Sequence, residues 1–307
     1  ETLPQSLNLT RCTATNNTAL YYGGVVAIRN GIDASDQLIT VTDCQFFGNQ
    51  GGSGAVLFAS LQANATQQLL VDRCLAESNM GSVFYASTSI GKQQIQLMGS
   101  TFRQNQAVAS GAVANFYGGA ISPLSDDTYL ALTGNTFQDN SIMLSEGGAI
   151  YVTNGHNVSL QSNIWRNNSA KGHGGHLYLA LHRYNTESPA TLSITNETFG
   201  IVGSADDSLY INPLTDTQCH VIDLFLESQA VNHVVLGKRV PGVVPNNTLN
   251  IISLRAQASP VALFNLNETW SVSQLGRLMV ESDNLSQMVM TFVQDTNGVP
   301  TSGVVFE

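Results

Sequence analysis

One asparagine, recurring at intervals of 26 to 35 residues, constrains this chain more than any other feature. Six segments fall into register on it: CTATNNTALYYGGVVAI, CQFFGNQGGSGAVLF, CLAESNMGSVFY, STFRQNQAVASGAVANF, NTFQDNSIMLSEGGAIYV and NIWRNNSAKGHGGHLYL. The aligned residues are Asn17, Asn49, Asn79, Asn105, Asn140 and Asn168. Three places earlier stand Ala14, Phe46, Ala76, Phe102, Phe137 and Trp165, and five places earlier Cys12, Cys44, Cys74, Ser100, Asn135 and Asn163. A degenerate seventh copy, NETFGIVGSADDSLYI, keeps Phe199 but has Val202 in place of the asparagine. A unit of this length that recurs with variable spacers is one coil of a solenoid, and loops absorb the differences.

Short alternating apolar segments flank each copy: LITVTDC, LLVDRC, IQLMGS, YLALTGN, VSLQSN and TLSITN before it, VVAI, AVLF, VFYA, AVANF, AIYV and HLYLA after it. Alternation over four to six residues is a strand signal, and no window carries a helical period. The pattern predicts an all-β parallel β-helix of about six to seven coils over residues 1–212. Strands stack about 4.8 Å from the preceding coil, so equivalent residues form columns along the axis. Phe or Trp fills the interior. The aligned Asn, both donor and acceptor, bonds the turn and its neighbour in the next coil. A Gly-Gly step supplies positive φ and a close approach before the next strand. From 213 to 307 the motif stops but strand character continues, which predicts either further irregular coils or a small β-sandwich.

Composition bears on the outside of this solenoid. Of 307 residues, 43% are apolar but only 11% are Asp, Glu, Lys or Arg, with Lys92, Lys171 and Lys238 the only lysines. A net charge of −10 argues against nucleic acid as a partner. No apolar run reaches the ~20 residues of a transmembrane helix. Glycosylation sequons occur at Asn8, Asn16, Asn64, Asn157, Asn167, Asn196, Asn246, Asn267 and Asn284. Together with the scarcity of lysine they predict a secreted or cell-surface protein of a eukaryotic secretory pathway, its surface shielded by covalent N-glycans. Asn16 and Asn167 immediately precede ladder asparagines, an outward position suited to a glycan. Cys12, Cys44 and Cys74 share one column within disulfide reach. One pair can close, Cys12–Cys44 being favoured, with Cys219 available to the third; stacked free thiols are the alternative.

The pairing of F-x-x-N with G-G-A-[IV], best seen at Phe137–Asn140 with Gly147–Ile150 and at Phe102–Asn105 with Gly111–Val113, resembles the repeats of polymorphic outer-membrane proteins over about residues 3–212. That resemblance implies a β-helical adhesin or surface coat rather than an enzyme. This chain departs from those proteins in its many sequons.

Parallel β-helices also host pectin-acting enzymes. Gly172-His173-Gly174 looks like the G-H-G of polygalacturonases, with Asp126-Asp127 or Asp206-Asp207 as the paired carboxylates. The accompanying N-T-D and R-x-K motifs are absent, however, and Gly174-Gly175-His176 takes the register of Gly147-Gly148-Ala149, so the turn accounts for these glycines. His156, His173, His176 and His182 lack the spacing of a structural zinc site and read as surface turn residues. Tyr21-Tyr22 and Phe116-Tyr117 would stack on sugars if exposed, but beside solenoid turns they read as packing. No catalytic, cofactor or metal residue is therefore assigned. Residues 3–12 read as an uncapped first strand and the chain stops within VVFE, so either more polypeptide has been removed or both ends are expected to meet copies of the chain or other extracellular chains. The expected role is a structural glycoprotein of a coat, adhesin or filament. A carbohydrate-active enzyme or carbohydrate-binding module is the alternative.

Overall fold

The computed structural model describes residues 5–31, 35–88, 91–108, 111–117, 129–181, 189–200, 203, 208–213, 217–221 and 224–226; later residues are described only as strand backbones between 234 and 306. All elements among these are strands and turns, wound into a parallel β-solenoid. No helix of the described residues is long and apolar enough to cross a membrane.

The third coil shows the local logic. Its long strand, Ala65–Asp72, alternates buried and outward residues, with Gln67, Leu69 and Val71 inside. Arg73 then turns the chain at φ 49° and Cys74 follows it inward. The three-residue strand Leu75–Glu77 places Ala76 in the core. A second corner repeats the device, with Ser78 at φ 57° ahead of buried Asn79. After Gly81 the strand Phe84–Thr88 closes the coil on the opposite side. Each corner is thus a left-handed residue followed by an inward polar one. Equivalent left-handed residues stand at Arg11, Asp43, Arg73, Gly99, Gly134, Ser162 and Asn196, and again at Asn16, Gly48, Ser78, Gln104, Asp139 and Asn167. A non-glycine residue there costs about 1–2 kcal/mol, so the hydrogen bonds made next to it must offset that cost in every coil.

Register is kept from coil to coil. The long strands pair in parallel from Gln5–Thr10 through Gln37–Thr42, Ala65–Asp72, Gly91–Met98, Tyr129–Thr133, Asn157–Gln161 and Ala190–Thr195 to Thr217–Val221. A second sheet runs opposite, from Val26–Asn30 to Leu209–Pro213. Neither sheet breaks at 213. Thr217–Val221, Leu224–Leu226, Val234–Leu236 and Asn247–Gln257 each pair in parallel with the coil before. The described strands after 213 thus continue the parallel pairing of the coils before them. Only Met288–Met290 and Val304–Phe306 pair antiparallel among the described strands.

The interior is a column of aromatic rings. Phe46, Ala76, Phe102, Phe137, Trp165 and Phe199 are register neighbours, each 0% exposed. Phe102 stacks on Phe137 with centroids 5.3 Å apart, and Phe137 on Trp165 at 4.1 Å. Ala76 leaves a gap in the column that Phe84 fills from the opposite sheet, edge-on to Phe46 at 6.5 Å and to Phe102 at 6.0 Å.

Candidate functional site

The six aligned asparagines form one continuous ladder. Asn17 Nδ2 donates to Asn49 Oδ1, and the same bond links Asn49 to Asn79, Asn79 to Asn105, Asn105 to Asn140 and Asn140 to Asn168, at 2.9–3.0 Å. Each buried Asn also donates to a carbonyl of the preceding coil, as Asn140 does to Phe102 O at 2.9 Å. The Oδ1 of each accepts the backbone amide of the preceding rung as well.

A second ladder runs parallel to the first through residues of four chemical types. Backbone amides of Cys12, Cys44, Cys74, Ser100, Asn135 and Asn163 donate in turn to Cys44 Sγ, Cys74 Sγ, Ser100 Oγ, Asn135 Oδ1, Asn163 Oδ1 and Glu197 Oε1. What unites the column is an inward acceptor two bonds or more from Cα. A third, shorter ladder joins Gln93 to Gln67 and Gln67 to Gln37 through side-chain amides at 2.8 and 2.7 Å.

The disulfide expectation is corrected here: Cys12, Cys44, Cys74 and Cys219 are all free thiols. Register-matched side chains of parallel strands point the same way, so the sulfurs stack without converging on the ~2.05 Å of a bond. The sulfurs of Cys44 and Cys74 are instead used as acceptors for the coil before them. Burial pushes the Cys44 thiol up, the Cys74 thiol up to about 11 and the Cys219 thiol up to about 12. These are inert thiols.

Both long ladders end on titratable side chains near Trp165. Glu197 is 0% exposed and accepts three bonds: from Asn163 N at 3.0 Å, Asn163 Nδ2 at 2.7 Å and Trp165 Nε1 at 2.6 Å. Burial outweighs these donors and pushes its carboxyl up to about 7. In the sequence alignment the position after Asn168 is Val202, whose side-chain type has no acceptor. His176 enters from the Gly-rich turn instead. Its Nδ1 lies 3.0 Å from Asn168 Nδ2, and its Nε2 lies 3.0 Å from Gly200 O. The amide can only donate and the carbonyl only accept, so His176 is the neutral Nε2–H tautomer. Full burial brings its pKa down to about 4. The ring leans on Trp165 and Phe199, with centroids 6.3 and 5.8 Å away.

The histidine expectation is therefore corrected in part. His156 is 2% exposed and His176 0%, so neither is a surface turn residue. His176 is inward because its register partners are Ala149 and Ser208, members of a buried column. His173 stacks on Tyr210 at 4.2 Å. His182, Asp126, Asp127, Asp206 and Asp207 lie outside the described residues. No group of three or more His, Cys, Asp or Glu among the described residues is placed to hold a metal ion. Gly147 and Gly174 both have positive φ, 71° and 68°, and belong to equivalent turns, which accounts for Gly174 of the G-H-G run.

The sequon asparagines are sorted by the fold. Asn8, Asn16, Asn64, Asn167 and Asn196 are exposed and Asn157 is half-buried, while Asn246, Asn267 and Asn284 lie outside the described residues. Asn16, Asn167 and Asn196 occupy left-handed corners, one place before an inward ladder residue. Of the aromatics set aside as packing, Tyr21 is 67% exposed and Tyr22 42%, whereas Phe116 is 1% exposed. Compared with family models, with curated proteins and with solved structures, the chain matches none.

Proposed function

We propose that this chain is an extracellular structural glycoprotein, a subunit of a cell-surface coat, adhesin or filament assembled by end-to-end stacking of solenoids. The observation that carries this reading is the division of labour between neighbouring residues at each corner. The inward polar residue is consumed by a ladder, while the outward one before it is, in three coils, an exposed sequon asparagine. A chain so arranged has its polar interior committed to stacking and its exterior open to sugars. Each coil recognises the next through backbone pairing, Asn amides and apolar columns, and the same bonds suit a coil of a second chain. The resemblance of the repeat to polymorphic outer-membrane proteins supports an adhesive or coating role.

The test is to produce the full chain through a eukaryotic secretory pathway, map glycopeptides by mass spectrometry and follow assembly by sedimentation and electron microscopy. The expected result is glycan at Asn8, Asn16, Asn64, Asn167 and Asn196, with linear assemblies that grow with concentration. A secreted chain without glycans, or a monodisperse monomer at high concentration, overturns the reading.

A further inference from the structure

We propose that the pocket beside the end of strand Val26–Asn30 binds a carboxylate-bearing monosaccharide of the uronic or sialic acid class, with Arg29 as the partner of the carboxylate. The pocket encloses about 340 Å3 and is lined by Arg29, Asn30, Gly31, Ser60 and Gln62. Arg29 and Ser60 are register partners on adjacent coils, so their side chains stand side by side. The backbone amide of Gln62 donates to Asn30 O at 3.2 Å, which ties together the two strand ends that form the wall.

The guanidinium is held in place by aromatic rings. Arg29 Cζ lies 3.8 Å from the Tyr22 ring centroid and 5.3 Å from that of Phe58, and the two rings are 4.5 Å apart. This contact takes up a flat face of the cation and leaves its edge N–H groups, the fork that matches a carboxylate. Asn30, register partner of buried Leu61, turns its side chain to the interior, so the outward polar side chains of the site are those of Arg29, Ser60 and Gln62. One cation beside the hydroxyl of Ser60 and the amide of Gln62 suits one carboxylate and neighbouring hydroxyls. A bare oxyanion leaves most of such a volume empty, whereas a sugar ring of about a dozen non-hydrogen atoms fits a site of this class.

Neither glycosylation nor assembly is needed for this binding, so its failure leaves the structural reading intact and the reverse also holds. The full chain is titrated with glucuronate, N-acetylneuraminate, glucose and inorganic sulfate by saturation-transfer NMR and calorimetry. At least one acidic sugar is expected to saturate, with glucose at least ~10-fold weaker for want of a charge-assisted hydrogen bond and sulfate weaker because it leaves most of the pocket unfilled. Arg29→Gln is expected to weaken the acidic sugar by about 10-fold or more at unchanged melting temperature. Absence of saturable binding, equal binding of glucose or sulfate, or full affinity in Arg29→Gln overturns the proposal. Should Arg29→Gln fail to fold, Ser60→Ala decides: a several-fold loss supports the site and unchanged affinity rejects it.

Discussion

Trp165 and Glu197 meet across one coil boundary, the indole Nε1 donating to a carboxylate oxygen at 2.6 Å inside a core otherwise made of stacked rings. The same indole lies beside the ring of His176 from its own coil, with centroids 6.3 Å apart. One buried aromatic thereby sits between an acid that ends one polar ladder and a base that ends the other. Their titrations have opposite signs.

The Glu197 carboxyl titrates near 4.5 when unfolded and near 7 when folded, so within that window the folded chain holds an extra proton and stability falls as pH rises. His176 titrates near 6.5 unfolded and near 4 folded, so the unfolded chain holds the extra proton and stability climbs with pH. The two slopes cancel between about pH 4.5 and 6.5. Glu197→Gln removes one of them. Its stability is expected to rise relative to wild type by about 1.4 kcal/mol per pH unit across that range. Urea melts of both proteins at several pH values check this, and parallel pH profiles reject it.

Asn105 lies in mid-ladder, donating to Asn140 Oδ1 and Ala76 O at 3.0 Å each and accepting from Asn79 N and Nδ2. Asn105→Ala strands two buried donors of Asn79 and is expected to cost about 3–5 kcal/mol. Asn105→Asp keeps the acceptors but loses both donations and buries a charge, and should fare no better. Exposed Asn64→Ala is expected to stay within about 0.5 kcal/mol. Thermal denaturation of the three variants orders them.

Glycine replacements separate crowding from backbone strain. A Cβ on Gly148 would stand 2.1 Å from Gly175 O and 2.6 Å from Ser169 O, both backbone atoms of the next coil. Gly148→Ala is expected to prevent stacking and leave little soluble folded protein. Gly134 has φ +64° but nothing within 4 Å of its would-be Cβ. Gly134→Ala therefore bears strain alone, about 1–2 kcal/mol, read as a modest fall in melting temperature.

Thiol labelling follows burial. Cys44, Cys74 and Cys219 are buried, with thiols raised by desolvation, whereas Cys12 is only partly buried. Iodoacetamide on the native chain is expected to label Cys12 at most, and to label all four cysteines after denaturation. Mass spectrometry that finds native labelling at Cys74 or Cys219 contradicts the packing described.

The Asn ladder was legible because a single residue type recurs at a single place, and the aromatic column nearly so. The ladder through Cys44, Cys74, Ser100, Asn135, Asn163 and Glu197 was visible only as an alignment column. Its members share an acceptor atom and little else, so no residue-type pattern announces their common bond. The signal that could have found it is the polar or glycine residue that precedes every member, from Arg11 to Asn196. His176 was read as a turn residue because its neighbours are Gly174 and Gly175. Its burial goes with contacts to Asn168 and Gly200 O, contacts between segments that no local window contains.

Period and alternation are local properties, so the sequence by itself determined that the chain is a parallel solenoid, which aromatic column fills it and which asparagines stack. Only the tertiary structure decided which atoms meet between coils. It kept Cys12 and Cys44 as stacked thiols, because parallel side chains at one register run alongside each other. It put Phe84 in the gap at Ala76, and it ended the two ladders on Glu197 and His176. Those outcomes depend on Cβ directions and free volume summed over several coils, quantities that exist only once the coils are stacked.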